Sequence, residues 1–285
     1  MKQSGTIPAR YEREQIRMAS ALLGPVMLIM ALAFLVPLGF ILAYSVWDNG
    51  FTVHAITGLL ASGLFVRVLR ASCGISLTAT AVSLALGYVV ALHLARQPPQ
   101  RRALLMILVL VPFWMSILVK SFAFTIILGN NGVVNAILVS LFGPGARLSL
   151  MFNRIGVIVA LSHNLVPYVV FPVLASLLAQ DTNLRRAAQL MGAGPARIFW
   201  RITLPLSLPG VIAAGLMTTV ISMGSFVIPS LMGGRQDTML ANLVDYYTRE
   251  ALDWNAAAAV SVILLLLSLV LLALLARVRG GETVI

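Results

Sequence analysis

The chain contains 285 residues, of which 60% are hydrophobic and only 10% are charged, and it carries a formal net charge of +11. A soluble domain keeps a largely polar surface, so this composition excludes a soluble enzyme, a disordered binding protein and a secreted disulfide scaffold. The single cysteine, Cys73, cannot form an internal disulfide. A membrane span needs about 20 apolar residues, so the length predicts five to seven transmembrane helices. The basic excess is better explained by topology in a bilayer than by a nucleic-acid partner.

Six apolar stretches follow one another along the chain, and the first is too long for the apolar region of a signal peptide. They predict an all-α integral membrane protein with six transmembrane helices and both termini on one side. The predicted spans cover residues 19–47, 69–95, 103–127, 155–178, 205–232 and 255–276.

The distribution of basic residues predicts the orientation of these spans. With the N-terminus inside, the inner segments hold thirteen Lys and Arg residues and the outer segments hold six. Such an asymmetry places the richer side, and therefore both termini, in the cytoplasm. The chain then divides into a cytoplasmic tail, a first helix with its periplasmic loop, a core of five helices and a second tail, at 1–18, 19–68, 69–277 and 278–285.

The longest predicted cytoplasmic loop, 179–205, carries helix signals of its own. Asp181, Thr182 or Asn183 can cap a helix that continues to Met191. Gly192 stands where a helix end needs a positive φ, and a turn at Gly194-Pro195 precedes a second short helix. Two interpretations of this loop are compatible with its sequence. It is either an amphipathic segment that lies on anionic lipid or a surface that docks another protein.

The spacing of this loop resembles the EAA loop of bacterial ABC-importer permeases. The matching positions are Ala187, Ala188, Gly192, Ile202, Leu204 and Pro205, and every spacing of the pattern fits. Arg186 stands where that family has Glu. The resemblance implies a type I ABC-importer permease fold, MetI-like, whose loop docks onto a cytoplasmic ATPase subunit. At Arg186 the ATPase surface is then expected to be neutral or acidic rather than basic.

Two further stretches resemble polyamine-type permeases, which import spermidine or putrescine. The first consists of Pro112–Ala123 followed by Gly132–Asn135, and the second of Ser225–Gly234 followed by Asp253-Trp254. The resemblance implies a second homologous permease as a heterodimer partner, two ABC ATPases that bind ATP and Mg, and a periplasmic substrate-binding protein. This chain itself is then expected to bind no cofactor and to catalyse no reaction. An amino-acid derivative, an opine or a phosphonate stays open as the transported solute.

The polar residues of the spans bear on the energy source. No Asp or Glu falls in any predicted span, whereas carriers coupled to ions usually need an intramembrane carboxylate. The sequence also lacks a P-loop, a metal-ligand spacing and a nucleophile–base pair. A stand-alone carrier or channel and a membrane-embedded enzyme are therefore the weaker alternatives to a subunit driven by a partner.

Five residues are candidates for a translocation pathway that passes a cation weakly through hydroxyl, amide and aromatic groups. They are Trp114, Asn164, Tyr168, Ser222 and Ser225. Interhelical hydrogen bonds account for such residues equally well. Lys120 is expected near the outer edge of its span, with its ammonium group reaching the lipid headgroups.

Overall fold

The computed structural model describes residues 9–47, 50 and 54–280, and the chain is predominantly α-helical there. The helices of this part are, in chain order, α1 (Ala9–Val46), α2 (His54–Ala61), α3 (Gly63–Ala95), α4 (Pro99–Trp114), α5 (Ile117–Leu128), α6 (Val133–Phe142), α7 (Arg154–Leu178), α8 (Thr182–Leu190), α9 (Pro195–Ile198), α10 (Leu204–Met223), α11 (Val227–Met232), α12 (Leu240–Arg249) and α13 (Trp254–Gly280).

Six helical stretches of the described residues are long and apolar enough to cross a membrane, which confirms the predicted number. They are Leu23–Val46, Gly63–Ala95, Ile117–Phe142, Arg154–Leu178, Pro195–Met223 and Trp254–Arg277. Helix α1 starts at Ala9, inside the predicted tail, because the Arg, Glu and Gln residues before the apolar run are good helix formers. The rest of the predicted tails, 1–8 and 281–285, lies outside the described residues.

The predicted third span, 103–127, was wrong as a single helix. Helix α4 ends at Trp114, the chain is extended at Met115 and Ser116, and α5 then begins. Pro112 has no N–H for the last turn of α4, which weakens the helix where it stops. The apolar stretch of spanning length instead covers α5 and α6, with a turn between them.

The predicted fifth span, 205–232, was wrong at both ends. One continuous helical stretch runs from Pro195 to Met223 through a π-helical turn at Phe199–Thr203, in which Leu204 N–H donates to the Phe199 carbonyl. Because Pro205 has no N–H, a helix start was expected there, but the wider turn lets the helix continue past it. A break after Met223 then separates α10 from the short α11.

Helices α3, α7 and α10 form the centre of the bundle. Gly87 of α3 lies against Val169 of α7, where an added Cβ atom would come within 2.6 Å of the valine Cγ1. Between the same helices, Ser83 Oγ donates to the Ser162 carbonyl over 3.2 Å. Small residues and buried hydroxyls therefore hold the central helices close together, as is typical of membrane bundles.

Candidate functional site

Helix α8 begins as its sequence predicts. Asp181 is the N-cap residue, and its carboxylate accepts a hydrogen bond of 2.8 Å from the Asn183 backbone N–H. A capping carboxylate also interacts favourably with the positive end of the helix dipole. The helix spans Thr182–Leu190, close to the predicted 184–191.

The end of α8 is a Schellman motif centred on Gly192. Gly192 has a φ of +79°, its N–H donates to the Gln189 carbonyl over 3.0 Å, and Ala193 N–H donates to the Ala188 carbonyl over 3.0 Å. These two bonds satisfy carbonyls that would otherwise lack partners at the helix end. The prediction of a positive φ at Gly192 is confirmed.

The loop that carries α8 is tied together at its base. Gln180, which follows α7, donates from its side-chain amide to the Thr203 carbonyl over 3.0 Å. After the turn at Gly194, Pro195 opens α9 as its first residue, where its missing N–H costs little. Because α9 leads through the π-helical turn into α10 without a gap, a force applied to α8 and α9 reaches the membrane core directly.

The side chains of α8 are available to a partner. No residue of this helix is buried, and Leu190 and Met191 at its end are 90% and 88% exposed. Arg185 and Arg186 are exposed on the same helix. An apolar tip of this size next to arginines is typical of a surface that another protein or a membrane covers. We call Thr182–Met191 the docking surface below.

The structure divides the residues of the EAA-like pattern into two groups. Arg186, Ala187, Ala188 and Gly192 lie on the docking surface or at its end, whereas Ile202, Leu204 and Pro205 lie on the helical stretch that follows. The first group is open to a partner. The second group joins the docking surface to the membrane core.

Sequence reasoning missed two exposed apolar residues in this region, Leu190 and Trp200. Nothing in the periodicity of the sequence distinguishes them from the many apolar residues of the spans.

Two of the five pathway candidates, Asn164 and Tyr168, lie on one face of α7. Asn164 and Tyr168 are half-buried and four residues apart, so they are neighbours on that face. The Tyr168 ring packs edge-on against Phe113 of α4, with 5.4 Å between ring centroids. Trp114, the next residue of α4, is 70% exposed.

The other two candidates lie at the opposite end of the helical stretch that follows the loop: Ser222 is in the last turn of α10, and Ser225 follows its end. Both hydroxyl oxygens are buried and have no hydrogen-bond partner among the described residues.

Lys120 bonds a residue of α7. Its Nζ donates to Asn164 Oδ1 over 2.5 Å. Asn164 is ten residues inside α7, or about 15 Å from its Arg154 end. The expected reach of Lys120 to the lipid headgroups stays a prediction.

The described residues hold no group of three His, Cys, Asp or Glu side chains that could bind a metal ion. The described ion pairs, Arg154–Asp237 at 3.5 Å and Arg249–Asp245 at 2.7 Å, lie near the ends of α7 and α12. They tie loops and helix ends together and provide no catalytic arrangement.

Curated proteins with similar sequences are permeases. The chain is 35% identical over 214 residues to the spermidine/putrescine transport system permease protein PotB of Escherichia coli, which covers 75% of this chain and 78% of the relative. It is 29% identical over 238 residues to PotB of Haemophilus influenzae, with 84% and 82% covered. It is 28% identical to the molybdenum transport system permease protein ModB of Mycobacterium bovis, with 71% and 75% covered.

Solved structures show the same fold. A chain of a bacterial alginate ABC transporter in complex with its alginate-bound periplasmic protein superposes with a TM-score of 0.79 at 17% identity, covering 98% of this chain and 99% of that one. A chain of the MetNI methionine ABC transporter gives 0.50 at 21% identity, with 77% and 98% covered. These neighbours confirm the type I ABC-importer permease fold.

The family model for the inner membrane component of binding-protein-dependent transport systems matches residues 83–279, which is more than half of the chain. Permeases of this family work with other ABC subunits, bind no cofactor directly and are not enzymes. The chain belongs to this family and is a multi-pass inner-membrane permease subunit of an ABC importer.

Proposed function

We propose that the docking surface, Thr182–Met191, engages one of two cytoplasmic ABC ATPase subunits that bind ATP and Mg. The observation that carries this proposal is the pair of almost fully exposed side chains, Leu190 and Met191, on a helix fixed at both ends. A rigid helix with an apolar tip loses little conformational entropy on docking and buries its apolar area against a groove.

The arginines of the docking surface define the chemistry of the groove. Arg186 replaces the Glu of the family pattern and is exposed, as is Arg185. The ATPase that fits this chain carries neutral or acidic side chains opposite them, because like charges across an interface cost affinity and deter unrelated partners. The partner ATPase is therefore specific to this transporter.

Co-purification tests the docking proposal. Replacing Leu190 and Met191 together by serine removes the apolar tip and leaves the helix and its caps in place. We expect the ATPase to be lost from the purified complex while membrane insertion is unchanged. Gln100→Ser, an exposed polar change outside the docking surface, is the control and keeps the ATPase bound. Full retention of the ATPase by the double variant would contradict the proposal.

We infer that the transported solute is a polyamine, such as spermidine or putrescine, or a similar small organic cation. The relatives named for spermidine and putrescine transport, 35% and 29% identical over most of the chain, support this substrate class. A periplasmic binding protein delivers the cation, and a second homologous permease forms the other half of the pathway as a heterodimer. ATP binding closes the ATPase pair and turns the pathway from inward-facing to outward-facing.

A small anion is the second candidate solute. The relative named for molybdenum transport and the positive charge of Lys120 inside the membrane both favour it. A cationic side chain in a pathway lowers the energy of an anion and raises that of a cation.

Uptake by the assembled transporter distinguishes the two candidates. The complete complex, purified from its native host with both permeases, the ATPases and the binding protein, is reconstituted in liposomes. We expect ATP-dependent uptake of radiolabelled spermidine or putrescine and none of molybdate. Uptake of molybdate alone would overturn the assignment of a polyamine.

A further inference from the structure

Lys120 lies in a helical stretch that is long and apolar enough to cross a membrane. Its ammonium group bonds Asn164 Oδ1, which lies about half-way along the membrane-spanning length of α7. The membrane-spanning stretches contain no Asp or Glu in their sequences. A neutral amide oxygen compensates a buried cation only in part, so stability alone would favour an apolar side chain at this position.

The residues next to this bonded pair are polar and aromatic. Asn164 supplies an amide oxygen, and Tyr168, one turn further along α7, packs edge-on against Phe113. His163, the neighbour of Asn164 in sequence, packs edge-on against Phe124, the residue one turn beyond Lys120, with 5.2 Å between ring centroids. Amide oxygens and aromatic rings attract ammonium groups weakly and without a fixed counter-charge.

The group that fills this site is itself an alkylammonium group. The side chain of Lys120 has four methylene groups and a terminal ammonium, which is the structure of an aminobutyl arm of putrescine or spermidine. Lys120 and Asn164 are both half-buried. The bonded pair therefore keeps part of its surface open to a ligand.

We propose that Asn164 Oδ1 is a mid-membrane subsite for a primary alkylammonium group, and that Lys120 occupies it as a tethered competitor until the substrate displaces it. The substrate class rests on the proposed function. While Lys120 is in place, the pathway offers no free acceptor to other cations. Once the substrate has displaced Lys120, the positive charge of Lys120 repels the bound substrate cation. The substrate therefore moves on without being trapped.

Equilibrium binding of radiolabelled putrescine to the complete complex, without the binding protein, tests this proposal. Lys120→Met keeps the length of the side chain and removes the charge. If Lys120 fills the site about nine-tenths of the time, its removal tightens apparent binding about tenfold, because apparent affinity scales with the free fraction of sites. Lys120→Arg keeps a competing cation and is expected to bind putrescine much more weakly than Lys120→Met.

Asn164→Leu in the Lys120→Met background is the decisive second variant. Removing the acceptor is expected to abolish the tenfold gain. Thr125→Val, on the same helix, is the matched control, since its hydroxyl bonds only its own helix. If Lys120→Met does not assemble, Lys120→Gln, which is neutral and polar, takes its place.

The outcomes separate this proposal from the proposed function. Unchanged putrescine binding in Lys120→Met, or a gain that persists with Asn164→Leu, overturns the subsite even if polyamine uptake is observed. A gain that depends on Asn164 supports the subsite even if the native complex imports another solute. If wild-type complex binds molybdate and Lys120→Met loses that binding, Lys120 serves an anion and the proposal is wrong.

Discussion

Gly192 gives the docking surface its abrupt end. Its φ of +79° is a conformation that residues with a Cβ atom rarely adopt, while the space around it is open. The two hydrogen bonds of the Schellman motif depend on that conformation. The cost of any substitution here is therefore conformational, with no contribution from crowding.

Gly192→Ala is expected to destabilise the end of α8 by about 1 kcal/mol, because an L-residue pays this to adopt a left-handed conformation. Hydrogen exchange of the amides at the end of α8 should become about fivefold faster in the purified complex. Gly194→Ala is the control, since Gly194 has a φ of −69° and open space. Equal exchange rates in Gly192→Ala and wild type would contradict the account.

At the residue scale, the sequence predicts local geometry well and contacts between distant residues poorly. The cap at Asp181 and the positive φ at Gly192 follow from short-range chemistry and are confirmed. The break at Met115 and Ser116 was missed because it lies inside a continuous apolar run, although Ser116 is the N-cap residue of α5. The bond of Lys120 to Asn164, 44 positions away, is long-range and no local pattern contains it.

At the scale of elements, α7 and α10 touch through backbone. A Cβ atom added at Gly210 would come within 2.6 Å of Ser176 Cβ and 2.7 Å of the Pro172 carbonyl oxygen. Both neighbours belong to the rigid part of α7, so the helices would have to separate. This contact lies next to the loop that carries the docking surface.

Gly210→Ala is expected to destabilise the protein by about 1–3 kcal/mol, the usual cost of overpacking. Thermal unfolding in detergent, followed by intrinsic fluorescence, should show a lower midpoint. Gly215→Ala on the same helix is the matched control, because its added Cβ would meet only the tip of Leu84 at 3.4 Å. A midpoint equal for both variants would show that α7 and α10 do not pack as closely as described.

The element boundaries show where periodicity stops being informative. Six apolar runs are visible in the sequence because each span must bury its backbone polar groups in a helix. The π-helical turn before Pro205 is not visible, since proline favours a helix start as readily as a bulge. The sequence analysis also missed that α5 and α6 form one spanning stretch. The turn between these helices is short, and the residues on both sides of it are apolar.

For the whole molecule, the basic residues predict a cytoplasmic docking surface. Single cysteines at Gln189 and at Ser149, each in a Cys73→Ser background, report the two sides. In intact cells an impermeant maleimide should label Ser149→Cys and not Gln189→Cys, which reacts only after permeabilisation. Labelling of Gln189→Cys in intact cells would reverse the topology and exclude docking to a cytoplasmic ATPase.

The fold and the family could be predicted from the sequence because the loop at 179–205 is a contiguous segment with fixed spacings. The pathway could not, since its candidate residues lie on separate helices and no contiguous pattern contains them. Ser222 and Ser225 illustrate this limit: both suit a pathway by residue type, and no sequence pattern predicts that their hydroxyl groups are buried without a hydrogen-bond partner among the described residues.

The central claim is that ATP hydrolysis by partner subunits is coupled to transport through the docking surface. The direct measurement is the rate of ATP hydrolysis by the complete complex in nanodiscs, with and without spermidine-loaded binding protein. We predict stimulation in wild type and its loss when Leu190 and Met191 are both serine. Docking buries these two exposed side chains against the ATPase, so their removal costs about 3 kcal/mol of docking energy, or more than a hundredfold in affinity. Stimulation that survives unchanged in this double variant would contradict the account.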